Sequence, residues 1–246
     1  MLTLFKSKPI LKDLIPDNYI DIHSHLLPAI DDGAKNLDDS LRLIKALQGF
    51  GTKQFVTTPH VIQYFYDNDF QSIKSKEEVF HKNLEQNNIS IPVRAAAEYM
   101  MDEYFVKLFQ SGELLTLKDN YVLVEMSYLN PPIQLYSIIF ELQVAGYIPI
   151  LAHPERYTFY HNNLDEYKKL INSGCLFQLN LLSVVGYYGA GIARIADFLL
   201  KNGLYNFVGS DVHHDNHIAA FEKKIIIKDT KPLIEIINNN QFFKIV

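Results

Sequence analysis

Short apolar runs alternate along the chain with longer stretches in which apolar residues recur at helical spacing. Each run is rich in β-branched or aromatic residues and is mostly apolar on both faces, which is typical of a buried parallel strand. The pattern predicts seven strands, at 19–23, 54–58, 93–98, 121–125, 148–152, 176–179 and 207–209. Because helices separate the strands and the connections are short, we expect a parallel sheet that closes into a barrel.

Three of the intervening helices have recognisable ends. One begins after Asn36, has two aspartates in its first turn and stops near Gly49. Two others end at Gly174 and Gly203, because glycine suits the left-handed backbone that closes a helix. The sequence therefore predicts an ordered alternation of strands and helices along the whole chain.

Composition and charge exclude several classes of protein. Hydrophobic residues at 48% and charged residues at 21% are those of a folded domain. The absence of a linker or repeat predicts one α/β domain at 19–246 after an N-terminal extension at 1–18. The net charge of −5 disfavours binding to nucleic acid or anionic lipid. Neither a signal peptide nor an apolar run long enough to span a membrane is visible, so we expect a cytoplasmic protein without membrane insertion.

Histidines and carboxylates stand where the predicted strands end. His23 and His25 lie two residues apart, so both imidazoles point to the same side of an extended chain. The other strand ends carry His60, Glu98, Glu125, His153, Asp211 and His213. These ends meet at one mouth of a parallel barrel, where a buried carboxylate needs a partner cation, yet Arg156 is the only basic residue among them. Imidazole and carboxylate without thiolate predict a metal site for Mn, Fe, Zn or Mg.

Four segments of the sequence resemble the PHP-superfamily tyrosine-protein phosphatases of bacterial capsule and exopolysaccharide synthesis, the CpsB/YwqE type. The segments are DIHSHLLPAIDDGAK at 21–35, TTPH at 57–60, HPERY at 153–157 and SDVH at 210–213. The His-x-His pair is shared with wider PHP and amidohydrolase groups, whereas the DDG and HPERY blocks are narrower. The resemblance implies a distorted (β/α)7, TIM-like barrel of the PHP type, in agreement with the seven predicted strands.

The resemblance also implies three divalent metal ions, of which manganese is the most favoured. One would be bound by His23, His25, Glu98 and Asp211, a second by Glu98, Glu125 and His153, and a third by Asp32, His60 and His213. Asp31 and Asp32 compete for one ligand position, and Asp32 is preferred. The alternative role of Asp31 is a partner for the following helix or a hydrogen bond to a ligand histidine.

The reaction implied by the resemblance is hydrolysis of phosphotyrosine through attack by a hydroxide that bridges the metals. Its implied substrate is the C-terminal tyrosine cluster of a bacterial tyrosine autokinase that controls polysaccharide synthesis. Arg156 is predicted to bind the phosphate through its planar guanidinium, with an ion pair to Glu155 or another surface acid as the alternative. Many family members carry a second arginine after the Asp-x-His motif, but this chain has His214 and His217 there. His217 or His214 is predicted to donate to the phosphate or leaving group, or else to be a solvated loop histidine.

Three other functions compete with this interpretation. Cysteine-based tyrosine phosphatases need an arginine six residues after the cysteine, but Leu181 occupies that position after Cys175. Cys175, the single cysteine, is instead expected to be a small buried residue at the start of the sixth strand. The remaining alternatives are a PHP phosphoesterase for a small molecule such as histidinol phosphate, and a non-catalytic module that binds the kinase tail. The oligomeric state is left open by the sequence.

Overall fold

The computed structural model describes residues 7–245, so the start of the predicted N-terminal extension at 1–6 and Val246 lie outside the described residues. Its strands are β1 Tyr19–Asp21, β2 Thr52–Thr57, β3 His60–Val61, β4 Val93–Ala95, β5 Glu98–Met100, β6 Tyr121–Glu125, β7 Ile148–Ala152, β8 Leu176–Asn180 and β9 Phe207–Gly209. Its α-helices are α1 Leu37–Gly49, α2 Phe70–Gln86, α3 Glu103–Ser111, α4 Leu135–Val144, α5 Asp165–Asn172, α6 Ala190–Lys201, α7 Asp215–Phe221 and α8 Lys231–Asn239. Short 3-10 helices span Leu11–Leu14, Pro154–Arg156, Thr158–Tyr160, Leu181–Val185 and Asn240–Phe243.

The strands form a curled parallel sheet that is broken at one place. One part has the order β1-β2-β4 and the other β3-β5-β6-β7-β8-β9, and every ladder is parallel. The strand predicted at 93–98 is split into β4 and β5 at the two alanines that follow β4. The strand predicted at 54–58 corresponds to β2, and after a bend at Pro59, which lacks an N–H, the chain continues as the short strand β3. Backbone hydrogen bonds from Ala96 to Thr57 (2.8 Å) and from Glu98 to Pro59 (3.1 Å) carry the pairing across the break. The split strands occupy one position each, so the predicted seven-position barrel is confirmed.

The helices that were predicted from their ends are present. Asn36 caps α1 by accepting a hydrogen bond from the Asp39 N–H at 2.9 Å. Helices α5 and α6 stop just before Gly174 (φ +91°) and Gly203 (φ +64°), where the left-handed backbone turns the chain into the next strand. Among residues 7–245, no helix combines the length and apolar character needed to cross a membrane.

The segment before β1 packs on the barrel. Leu11 is fully buried in the main hydrophobic core, and its N–H donates to the Lys223 carbonyl at 3.0 Å. The Ile225 N–H donates to the Pro9 carbonyl at 3.0 Å, so the two segments lie side by side. The division of the chain at residue 19 stays a prediction.

The barrel closes between β1 and β9 through a side chain. Beyond the ends of these strands a single parallel bridge joins Ser24 to Val212. At the opposite end, the buried Asn240 donates through Nδ2 to the carbonyls of Ile20 (2.9 Å) and Val208 (2.8 Å). Its Oδ1 accepts from the Val208 N–H at 3.1 Å. One amide from the last 3-10 helix thus replaces part of a strand ladder.

We expect Asn240→Ala to lower the free energy of unfolding by about 3 kcal/mol, because it removes three buried hydrogen bonds and leaves their backbone partners unsatisfied. Urea unfolding followed by circular dichroism measures this loss. The matched control is Asn238→Ala, an exposed position on α8, which should change stability by less than about 0.5 kcal/mol. Equal stabilities for the two variants would contradict the role of Asn240 in closure.

Candidate metal centre

All nine residues predicted as metal ligands lie at one mouth of the barrel, at strand ends or in the segments that follow them. His23 and His25 follow β1, His60 begins β3, Glu98 begins β5, Glu125 ends β6, His153 follows β7, Asp211 and His213 follow β9, and Asp32 lies in the loop before α1. The parallel strands all run toward this mouth, so residues far apart in sequence converge there. The structure therefore brings the whole predicted set together.

Four buried side chains form the deepest group. The Nε2 atom of His23 lies 3.2 Å from both Glu98 Oε2 and Asp211 Oδ1, and His25 Nε2 lies 3.3 Å from the same Asp211 oxygen. All four are at most 2% exposed. Their potential ligand atoms are close enough to hold one metal ion. This is the group that was predicted for the first metal.

A second group lies nearer the solvent. Asp32 Oδ1 is 3.5 Å from His60 Nε2 and 3.4 Å from His213 Nε2, and the Asp32 side chain is 53% exposed. His25 is close enough to join these three around an ion. The predicted third group of Asp32, His60 and His213 is thus brought together, with His25 added.

A third group corresponds to the ligands predicted for the second metal, Glu98, Glu125 and His153, but it differs from them in its histidine. His60 Nδ1 lies 2.9 Å from Glu125 Oε1 and 3.2 Å from Glu98 Oε2, so His60 stands where His153 was expected. The two ring nitrogens of His60 face different groups, which lets one imidazole contact both. His153 is displaced from the trio but remains next to it, with Nε2 at 3.0 Å from Glu98 Oε1.

Two side chains orient the imidazoles of the His-x-His pair. Asp31 Oδ2 lies 2.7 Å from His25 Nδ1, which is the alternative role that the sequence allowed for Asp31. Gln178 Oε1 lies 2.8 Å from His23 Nδ1. Both contacts fix the rings so that Nε2 points into the centre. Sequence reasoning did not single out Gln178, although a glutamine inside a buried apolar strand is a recognisable signal.

The carboxylates of the centre attract positive charge strongly. Burial disfavours the charged form of His23, yet Glu98 and Asp211 raise its pKa to about 10. Burial likewise opposes charge on His60, and Glu125 with Glu98 raises its pKa to about 9. The field of the centre therefore favours cations, in contrast to the ordinary behaviour of buried imidazoles.

The backbone around the centre is unusually constrained. His153 (φ +37°) and Asp211 (φ +50°) adopt the left-handed conformation immediately after their strands, at a cost of about 1–3 kcal/mol each. A Cβ atom on Gly33 would lie 2.3 Å from the His25 carbonyl oxygen. A Cβ atom on Gly209 would lie 2.5 Å from the His23 Cβ. Glycine is required at both positions because the chain passes directly against the His-x-His pair.

Arg156 is held rigidly at the edge of the centre. Its Nη1 donates to Asp211 Oδ2 at 2.8 Å, and its guanidinium lies between the rings of Tyr128 (4.8 Å) and Tyr188 (4.2 Å). The ion pair is with Asp211 and not with Glu155. Glu155 is fully buried and accepts hydrogen bonds from Ser183 Oγ, Tyr205 OH and the Asn180 N–H instead.

A cavity of about 220 Å³ opens beside Arg156. It is lined by Asp32, Arg156, Tyr188, Asp211, His213, His214 and His217. His217 is buried, and its Nδ1 lies 3.2 Å from the His213 N and 3.1 Å from the Asp211 carbonyl oxygen. Burial lowers the pKa of His217 to about 3 despite Asp211, so its ring is neutral at neutral pH. His214 is exposed at the rim.

Cys175 is buried directly before β8, as predicted, and we expect it to be unreactive in the folded protein. Burial raises the pKa of its thiol to about 12, so at pH 8 only about one molecule in 10⁴ carries the reactive thiolate. Iodoacetamide should label the urea-unfolded chain but leave the folded chain unmodified, as measured by mass spectrometry. Rapid labelling of the folded protein at pH 8 would contradict this expectation.

The chain is similar to known proteins over most of its length. Residues 19–225 match the family model described as capsular polysaccharide synthesis, CpsB/CapC. CapC of Staphylococcus aureus is 31% identical over 213 residues, covering 86% of this chain and 83% of CapC. The tyrosine-protein phosphatase YwqE of Bacillus subtilis is 30% identical over 196 residues, covering 79% of this chain and 77% of YwqE.

A solved structure shares the architecture. It comes from a study of YwqE from Bacillus subtilis and CpsB from Streptococcus pneumoniae, described there as unique metal-dependent tyrosine phosphatases. The superposition has a TM-score of 0.76 at 30% sequence identity and covers 81% of each chain. The likeness extends over most of the barrel that carries the metal centre.

Proposed function

Because this chain belongs to the CpsB/CapC family of capsular polysaccharide synthesis, we propose that it is a metal-dependent protein-tyrosine phosphatase. The observation that carries the proposal is the convergence of nine imidazole and carboxylate side chains at one barrel mouth, beside a rigid arginine. Relatives named tyrosine-protein phosphatases support it, as does the similar solved structure of a protein described as a metal-dependent tyrosine phosphatase.

The donor atoms of the centre fit divalent cations. His60 Nδ1, Glu98 Oε2 and Glu125 Oε1 are buried close together, and within residues 7–245 none of these atoms makes a hydrogen bond of acceptable geometry. Buried polar atoms without partners are costly, and a cation shared among them removes that cost. Imidazole nitrogen and carboxylate oxygen together suit Mn, Fe, Zn or Mg.

We propose three ions, with manganese as the favoured metal. The ligands are the nine residues His23, His25, Asp32, His60, Glu98, Glu125, His153, Asp211 and His213. When bound, such ions supply an activated water at neutral pH and stabilise negative charge on phosphate oxygens. Asp31 and Gln178 keep the imidazoles of the His-x-His pair oriented for this role.

Arg156 is proposed to bind the phosphate of the substrate. Among the residues that the structure describes, only its Nη1 makes a protein hydrogen bond, which leaves the other guanidinium N–H groups for a ligand in the adjacent cavity. Tyr128 and Tyr188 fix the plane of the guanidinium, so two parallel hydrogen bonds to phosphate oxygens need little reorganisation.

His217 is proposed to take the place of the second arginine found in many relatives. Both of its backbone contacts use Nδ1, so Nε2 is the ring atom left for a ligand in the cavity. Because the ring is neutral at neutral pH, His217 acts as a hydrogen-bond partner of the phosphate and not as a cation. A tyrosine leaving group has a pKa of about 10, so it departs with less proton donation than an alkoxide needs.

The substrate is proposed to be the C-terminal tyrosine cluster of a bacterial tyrosine autokinase that controls capsule or exopolysaccharide synthesis, and this chain is proposed to act on it in the cytoplasm. Aromatic side chains at the mouth support a phenyl substrate. Tyr66 stacks on His60 with ring centroids 5.4 Å apart, and the neighbouring Tyr64 and Phe65 are 83% and 81% exposed. Tyr128, 44% exposed, stands on the other side, above Arg156.

Hydrolysis assays with manganese test the proposal. The protein should release phosphate from a phosphotyrosine peptide faster than from histidinol phosphate or a phosphoserine peptide, and a chelator should abolish the activity. His153→Ala should lose turnover while it still binds the phosphotyrosine peptide. Faster hydrolysis of histidinol phosphate would assign the small-molecule function. No hydrolysis of any phosphomonoester would favour a non-catalytic binding module.

We expect Arg156→Lys to lower kcat/KM for a phosphotyrosine peptide by about 100-fold, because lysine offers a point charge in place of the planar, two-point contact. Lysine also loses the stacking between Tyr128 and Tyr188. Steady-state kinetics with manganese measures the change. The control is Arg194→Lys, an exposed position on α6, which should keep wild-type kinetics. An unchanged kcat/KM in Arg156→Lys would remove Arg156 from the phosphate site.

A further inference from the structure

Helix α4 is apolar on two opposite faces. Its inner face packs into the core through Leu135, Ile138, Ile139 and Leu142, all of which are buried. Its outer face carries Tyr136, Phe140 and Val144, which are 41%, 67% and 71% exposed. These three residues lie four apart, so they form one ridge along the helix. An amphipathic surface helix would carry polar residues at these positions.

The ridge continues beyond the helix and is flanked by grooves. Ile133, two residues before α4, is fully exposed at 103% of its reference area. A groove of about 570 Å³ lies on one side of α4, lined in part by Phe109, Phe140, Val144 and Tyr147. A groove of about 470 Å³ lies on the other side, lined in part by Pro132, Ile133, Tyr136 and Phe159. The same face thus presents both a ridge and grooves into which the ridge of a second copy can pack.

We propose that this α4 face, formed by Ile133, Tyr136, Phe140 and Val144, is a two-fold interface between two copies of the chain. A face that carries both ridge and grooves is complementary to itself, as an interface of two-fold symmetry requires. Phe140 is the central residue of the ridge, so the axis passes beside it. The ridge of each copy then packs into a groove of the other, in the manner of ridges-into-grooves helix packing.

The area of the face is sufficient for such a dimer. The exposed parts of the four side chains amount to roughly 500 Å², taking about 150–200 Å² for each large apolar side chain. Two copies would bury about 1,000 Å² before the groove walls are counted, which reaches the size of a specific interface. An apolar patch of this size lies near the upper end of what a monomer leaves exposed.

Charge disfavours a membrane as the occupant. The charged residues lining the two grooves are Glu141 and Glu166, both acidic, which would be repelled by anionic lipid. Glu166 is already paired with Lys169 and accepts a hydrogen bond from Tyr136 OH at 2.8 Å. The four side chains Ile133, Tyr136, Phe140 and Val144 are uncharged, so contacts between them bury no charge.

Sedimentation velocity tests the dimer directly. An interface of about 1,000 Å² is at the small end of specific interfaces, so we expect a dissociation constant in the micromolar range. The wild-type chain should then sediment as a dimer at about 100 µM and dissociate toward about 1 µM. Phe140→Lys should raise the dissociation constant by at least about 100-fold, the effect expected at the centre of an interface. The matched control is Val79→Lys on α2, 53% exposed outside the face, which should dimerise like the wild type. A wild-type chain that stays monomeric at about 100 µM, or a Phe140→Lys variant that still dimerises, would overturn the proposal.

Cross-linking provides a second measurement that needs no charged substitution. In a Cys175→Ser background, Phe140→Cys should form an intermolecular disulfide rapidly when copper-phenanthroline is added as oxidant, because the two thiols meet at the axis. Val79→Cys in the same background provides the matched control and should cross-link slowly. Equal rates for the two variants would overturn the placement of Phe140 at the axis.

Discussion

Replacing Glu98 by glutamine should lower kcat/KM by at least about 10³-fold, the loss expected when a centre loses both charge and ligand geometry. Glu98 is fully buried, and its Oε2 lies within 3.5 Å of nitrogens of His23, His25 and His60. Its Oε1 contacts His153. Glutamine keeps the shape but removes the negative charge and introduces an N–H₂ donor. The variant should therefore lose bound metal as well as activity.

Metal analysis by inductively coupled plasma mass spectrometry, alongside kinetics with manganese, measures both losses in Glu98→Gln. The matched control is Glu77→Gln. Glu77 is also a buried glutamate, but it lies on α2 and accepts a hydrogen bond from the Ala95 N–H at 2.6 Å, outside the centre. The Glu77→Gln variant should have a lower free energy of unfolding but keep its bound metal and its kcat/KM. Wild-type metal content and activity in Glu98→Gln would contradict the assignment of Glu98 as the shared ligand.

Gly33→Ala should disturb the centre although Gly33 is not itself a ligand, because the added Cβ overpacks against fixed backbone. We expect activity to fall by at least about 100-fold and the free energy of unfolding to fall by about 3 kcal/mol. The new Cβ would lie 2.3 Å from the His25 carbonyl oxygen and 2.4 Å from the His25 Cβ. That carbonyl accepts the Ala34 N–H at 3.1 Å, so the loop cannot retreat without breaking this contact. Asp31 and Asp32, which lie in the same loop, would be displaced together.

Thermal unfolding, metal content and kinetics measure the effect of Gly33→Ala. Gly49→Ala provides the matched control, since no atom lies within 4 Å of its new Cβ at the end of α1. Alanine is a better helix former than glycine by about 1 kcal/mol, so this control should be as stable as the wild type or more so. If Gly33→Ala retained wild-type metal content and activity, the loop would accommodate a Cβ at position 33, and glycine would not be required there.

The convergence of the site was predictable from sequence because it depends on a simple geometric rule. Polar residues that follow parallel buried strands must meet at one mouth, whatever the details of the loops. His23, Glu98 and Asp211 therefore lie together as the strand pattern indicated. The single cysteine was interpreted in the same way, from its spacing and its apolar surroundings.

The partners within the site were less predictable because they depend on side-chain rotation. His60 contacts the carboxylates of both Glu98 and Glu125, whereas His153 contacts Glu98, and the strand pattern does not report which ring nitrogen faces which group. Gln178 escaped notice because its role is visible only when β8 lies beside His23.

The hydrogen bonds by which Asn240 joins β1 to β9 have a consequence for synthesis in the cell. The amide that joins β1 to β9 belongs to Asn240, which lies 220 residues after its partner Ile20 in the sequence. A nascent chain can pair β1 with β2 early, but it cannot join β1 to β9 through this amide until Asn240 has been synthesised. His23 and Asp211 lie on the two sides of that junction, so we expect the candidate metal centre to assemble only after Asn240 has left the ribosome.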